Sequence, residues 1–99
     1  MKIAIHQPNY IPWLGYFDKL KKSDLFVLLD DVQYSGDKIS SRNLIRTSNG
    51  TQYLSIPIKK RRELLCNIEI DNSKNWRHNH WESIKNNYGK SKGWIEYSK

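Results

Sequence analysis

Residues Leu25-Phe26-Val27-Leu28-Leu29 form an unbroken apolar run between two polar breaks, Ser23-Asp24 and Asp30-Asp31. A run of this length without alternation describes a strand covered on both faces, as parallel strands are. A parallel strand needs an earlier partner and a crossover to reach it. Lys2–His6, with Ile3 and Ile5 alternating, supplies the partner. Between the two, Leu14, Phe17 and Leu20 fall at three-residue spacing and predict one apolar helical stripe. Pro12 suits the first turn, where its missing N–H costs nothing, and Lys19, Lys21 and Lys22 suit the end of the helix dipole. The first third of the chain therefore predicts a right-handed βαβ unit.

The rest of the sequence predicts smaller pieces. Asn49-Gly50 separates Asn43–Ser48 from Thr51–Ile58 and reads as a two-residue hairpin turn, with Ile45 opposite Leu54 and Arg46 opposite Tyr53. Pro57 can sit only on an edge or at a strand end. Leu64, Cys66, Ile68 and Ile70 alternate with more polar neighbours, which predicts a strand over Leu64–Asp71 with Cys66 in the core. Trp76, His80, Ile84 and Tyr88 recur every four residues on a predicted helix Ser73–Tyr88, capped near Asn72-Ser73 and ended by Gly89. Beyond it, Trp94, Ile95 and Tyr97 need a surface to pack on and predict an apolar patch or a homodimer that covers it. The fold class is α/β: a parallel βαβ unit, a β-hairpin and a C-terminal helix in one domain, residues 1–99. A Rossmann-like nucleotide-binding layout is the wider frame expected for it.

Ninety-nine residues make one small domain with a thin core. The twelve aromatic residues, 12% of the chain, supply much of the area it can bury. There is no apolar run of membrane-spanning length and no signal-peptide pattern at the start, so a cytoplasmic protein is expected. The single cysteine, Cys66, has no partner for an internal disulfide, which suits a reducing compartment. The net charge of +7 is concentrated in the second half, most densely at Lys59-Lys60-Arg61-Arg62. Such a surface attracts phosphate, although for any one run a solvated face is the simpler reading.

Within this frame the opening stretch IHQPNYIPWLGYFDKL, residues 5–20, acquires a purpose. Ligands of open α/β sheets bind beyond the carboxyl ends of parallel strands. The first strand ends at His6 and is followed by Gln7, Pro8, Asn9 and Tyr10. The second is followed by Asp30, Asp31, Gln33 and Tyr34. Parallel pairing brings both groups to one edge, beside a helix N-terminus with free N–H groups for an anion. The structural alternative is a satisfied polar knot, with His6 held by Asp30 or Asp31. Trp13, Tyr16 and Phe17 read as packing. His78 and His80 stand two apart and point different ways on a helix, so they do not make a metal pair. No dinucleotide fingerprint, phosphate loop, zinc pattern or nucleophile elbow is present, and no metal or cofactor is called for.

Four ordered blocks resemble the WbqC-like family: IHQPNYIPWLGYFDKL, DLFVLLDDVQY, SRNLIRTSNGTQYLSIPI and NWRHNHWESIKNNYGK. They cover nearly the whole chain, and the first is specific. The resemblance implies a bacterial, cytoplasmic protein of surface-polysaccharide (O-antigen) biosynthesis. For that family, transfer of glycine or another acyl group to a nucleotide-linked sugar has been suggested. It places His6, Gln7, Pro8, Asn9, Tyr10, Trp13, Asp30, Asp31, Gln33, Tyr34, Arg42, Asn43 and His80 on recurring polar and aromatic positions of the family. Two departures stand out. Family members are longer, so this chain resembles their N-terminal part. Members also often carry a bulky aromatic segment before the Arg-Asn pair, where this chain has Gly36–Ser41.

The resulting expectation is a transferase domain whose partner is a nucleotide-sugar or an activated acyl donor. His6 would move the proton, because an imidazole titrates near neutral pH. Asp30 or Asp31 would orient it or hold a hydroxyl, and Arg42, Arg46 and Lys60 would face phosphate. The alternatives are a basic nucleic-acid-binding module, less favoured, and a non-catalytic interaction fragment.

Overall fold

The structure, a computed structural model, describes residues 1–34 and 40–99. Two strands, β1 (Ile3–His6) and β2 (Leu25–Leu28), pair in parallel with Ile3 opposite Leu25 and His6 opposite Leu28. The Leu29 N–H donates to the His6 carbonyl at 2.9 Å and extends the ladder by one step. At the other end Asp24 clamps the pair: its carboxylate accepts from the Lys2 N–H at 2.6 Å, and its own N–H reaches the Lys2 carbonyl at 2.8 Å. The crossover helix α1 (Leu14–Lys22) carries its three lysines in the last turn. The expected βαβ unit is therefore present.

Its packing differs from expectation. Tyr16, not the Leu14–Phe17–Leu20 stripe, is the buried residue of α1, and its ring meets His6 and Phe26 edge-on at 4.9 and 5.3 Å. Leu14 is 87% exposed. One face of β1–β2 bears Ala4, His6, Phe26 and Leu28; the Tyr16 ring of α1 packs on His6 and Phe26, and Leu28 is 54% exposed. The opposite face, bearing Ile3, Ile5, Leu25 and Val27, is exposed. The apolar run of β2 is not covered on both sides within the described residues.

A second, separate sheet consists of β3 (Arg42–Thr47) and β4 (Gly50–Ser55), antiparallel. The expected hairpin forms with its register moved by two residues: Thr47 pairs with Gly50, Ile45 with Gln52 and Asn43 with Leu54. The turn residues are thus Ser48 and Asn49, both at negative φ, and Gly50 follows at φ +131°. A turn of this kind puts its one left-handed position after the two central residues, which only glycine fills cheaply. A shift of two preserves the faces, so Ile45 and Leu54 are still both buried. Two two-stranded sheets do not make the Rossmann-like layout expected above.

The predicted strand over Leu64–Asp71 is replaced by isolated bridges, Gln33 with Leu64 and Ile58 with Ile70, around a 3₁₀ turn at Leu65–Asn67. The reason lies in its backbone partners. Leu65 and Cys66 donate to the Val32 and Asp30 carbonyls, both at 2.7 Å, so this segment zips onto the chain leaving β2. Cys66 is consequently exposed, not in the core.

Helix α2 (Trp76–Tyr88) starts three residues later than predicted, with Asn75 at its N-cap and Gly89 at its C-cap. Its four-residue stripe faces the hairpin: His80 is buried, and the Tyr88 hydroxyl accepts from the Arg46 N–H at 2.7 Å. The short α3 (Lys92–Tyr97) lays Trp94 on Trp81 with ring centroids 4.8 Å apart, while Ile95 and Tyr97 remain exposed. No described helix is long and apolar enough to cross a membrane.

Candidate functional site

A cleft of about 480 Å³ opens where the end of the hairpin meets the start of α2. From the hairpin side it is lined by Ser41, Arg42 and the Ser55–Ile58 segment. From α2 and the turn before it come Lys74, Trp76, Asn79 and His80; Tyr34 and Arg61 close it. The lining includes three permanent cations, Arg42, Arg61 and Lys74, and no carboxylate. The first turn of α2 borders it, with no acidic residue and no side chain capping its N–H groups. Free helix N–H groups and cations at one mouth favour an anion.

Behind the cleft, the loop after β1 supports His80. Ile11 sits at φ +48°, a region that β-branched residues avoid. The Asn43 amide holds it there: Nδ2 donates to the Ile11 carbonyl at 2.7 Å and to the Tyr10 carbonyl at 3.2 Å. This clamp presents the Tyr10 hydroxyl to His80 Nδ1 at 2.7 Å. Burial pushes the Tyr10 phenol up and the His80 imidazole down from their ordinary values. The Ser55 backbone opposes part of the His80 shift. Trp76 packs edge-on to both Tyr10 and His80, with Arg77 over its ring. On the other wall, the Tyr34 hydroxyl meets the Ser41 hydroxyl at 2.7 Å, and the Arg42 guanidinium lies 4.2 Å over the Tyr53 ring. Arg42 Nε is buried and has no hydrogen-bond partner among the described residues.

The residues expected from the sequence divide into groups. Tyr34, Arg42 and His80 line the cleft, with Tyr10 and Asn43 directly behind it. His6 lies at the end of β1, half-buried, and its partner is neither aspartate: Nδ1–H donates to the Gln7 carbonyl at 2.8 Å. Asp30 and Asp31 are exposed just past β2, at the same sheet edge as His6, with Gln33 beyond them in its bridge. Gln7 and Asn9 are half-buried in the loop after β1. Trp13 is 65% exposed, its ring lying against Gly15. Arg46 is exposed on the hairpin, and Lys60 lines a separate small cleft beside Glu63 and Glu69. The Gly36–Ser41 loop falls largely outside the described residues. Sequence reasoning missed Arg61, Lys74 and Asn79. The basic run around Arg61 was a visible signal, whereas Lys74 and Asn79 become site residues only through the docking of α2. Among the described residues no three His, Cys, Asp or Glu side chains gather to hold a metal.

Residues 7–99 match the WbqC-like protein family. The chain belongs to this family. The match begins at Gln7 and takes in the hairpin and α2 that line the cleft, with the loop behind them. This WbqC-like chain is also 39% identical over 90 residues to the uncharacterized protein Rv1507c of Mycobacterium tuberculosis. That similarity covers 88% of the chain but 38% of the relative, so the chain spans well under half of the relative's length. No solved structure matches it significantly.

Proposed function

We propose that this WbqC-like chain binds the phosphate-bearing part of a nucleotide-linked sugar, or of an activated acyl donor, in the cleft between the hairpin and α2. It would thereby serve transfer of glycine or another acyl group to the sugar in bacterial surface-polysaccharide (O-antigen) biosynthesis. The observation that carries this reading is the charge of the cleft: Arg42, Arg61 and Lys74 face it with no carboxylate among the lining residues. Guanidinium groups bind phosphate in bidentate fashion, and a volume of this size accommodates a small ligand. Proton transfer is assigned to His6. A carbonyl can only accept, so the Gln7 contact fixes the proton on Nδ1 and leaves Nε2 as the base. Asp30 and Asp31, at the same edge, would hold a sugar hydroxyl.

The test is a thermal-shift and calorimetric screen against uridine-, guanosine- and thymidine-diphosphate sugars. Binding should raise the melting temperature of the parent, as any ligand of the native state does. Arg42→Ala and Arg61→Ala should each weaken it at least tenfold. His6→Ala should retain binding and abolish transfer in a full-length relative. Absence of any shift across the screen would overturn the reading. Tighter binding to single-stranded nucleic acid, collapsing steeply with salt, would favour the nucleic-acid alternative.

A further inference from the structure

The outer face of the β1–β2 sheet is the largest unexplained feature of the molecule. Ile3, Ile5, Leu25 and Val27 lie on it in register, at 58, 54, 50 and 37% exposure. Parallel strands carrying apolar residues on both faces belong in the middle of a layered structure. Both outer edges of this two-stranded sheet are also unpaired among the described residues. The whole molecule carries the same signature. Its accessible surface is 7759 Å² for 11.8 kDa, against ~5,900 Å² for a compact protein of that mass. Its radius of gyration is 15.4 Å, against ~12.6 Å for a compact chain of this length.

We propose that this face is the seat of the polypeptide that continues longer WbqC-like proteins beyond the region matched here. The inference rests on family membership and is independent of what the cleft binds. Two magnitudes select this occupant over a second copy of the chain. The surface excess of the whole molecule is roughly 1,800 Å², more than the about 800 Å² that one standard interface with a second copy would remove from it. The similarity to Rv1507c covers 38% of that protein, so ample chain exists to cover the face.

The test compares lysine substitutions in two proteins. Leu25→Lys with Val27→Lys is made in this chain and at the aligned positions of Rv1507c. In this chain the face is open, so the melting temperature should move by no more than 1–2 °C, and binding of the apolar dye ANS should fall. In the full-length relative the same pair should lower the melting temperature by 10 °C or more, or prevent folding. Leu44→Lys, on the exposed face of the hairpin, serves as the control and should be harmless in both. Equal effects of the pair in the two proteins would overturn the proposal, as would unfolding of this chain by the pair. A parent chain that sediments as a dimer which the pair dissociates would assign the face to a second copy and overturn it too.

Discussion

At the scale of single residues, Asn43 decides whether Tyr10 is held against His80 behind the cleft. A β-branched residue at positive φ stores about 1–3 kcal/mol, and Ile11 persists at +48° because the Asn43 amide holds two successive carbonyls. Asn43→Ala should therefore cost about 1–2 kcal/mol through the lost hydrogen bonds. It should also weaken ligand binding, because Tyr10 would no longer be held against His80; Asn43→Asp, which cannot donate, should behave like the alanine variant. Chemical denaturation and calorimetry together check this. His80 gives a pH dependence with a definite sign. Burial lowers its pKa in the folded state below the ordinary 6.5, so the unfolded chain takes up the proton first on acidification. The contribution is present above about pH 6.5 and is lost as the pH falls below it. The drop in melting temperature between pH 7.5 and pH 5 should be smaller in His80→Gln than in the parent. Sequence could nominate Asn43 and His80 as polar residues in matching blocks. It could not supply their roles, because their partners lie 32 and 70 positions away.

At the scale of elements, the hairpin isolates backbone conformation from packing. A Cβ at Gly50 would touch nothing, yet its φ of +131° is unfavourable for any L side chain. A Cβ at Gly93, within α3, would also touch nothing, and no such φ applies there. Gly50→Ala should destabilise by about 1–2 kcal/mol, while Gly93→Ala should stabilise by about 0.4–1 kcal/mol. Equilibrium unfolding of the two variants should thus move in opposite directions; movement in the same direction would remove the conformational explanation. The Asn-Gly signal located the hairpin because it is local. The register escaped because two turn geometries use the same dipeptide and differ only in which residues occupy the centre. Alternation over Leu64–Asp71 misled for a different reason: Leu65 and Cys66 donate to the chain leaving β2, Asn67 and Ile68 donate within their own turn and Asp71 donates to Pro57, so no single strand ladder takes the segment. The βαβ unit was legible because the apolar run of β2 and the helix signals before it agree.

At the scale of the whole molecule, the quantity that matters is how much surface folding removes from water. An unfolded chain of 11.8 kDa exposes ~17,100 Å². The folded value of 7759 Å² leaves only about 55% buried, where a compact domain of this size buries about 65%. Among the described residues no side chain lies below 2% exposure, and the buried apolar residues are Tyr16, Tyr34, Ile45 and Leu54. The unfolding slope in urea scales with the area exposed on unfolding. It should accordingly be about one-sixth lower than for an ordinary domain of equal length, with a low midpoint. Far-ultraviolet circular dichroism across a urea series measures both. A slope at the ordinary value would mean that the chain in solution closes its β1–β2 face against itself. A reduced slope that rises when the remaining portion of a longer relative is fused to the chain would mean that the missing area is buried there. The cleft should be little affected in either case, since its lining comes from Tyr34, the hairpin, the chain that follows it and α2, and includes no residue of β1 or β2. Ligand binding that survives a reduced slope would therefore separate the chemistry of the site from the completeness of the fold.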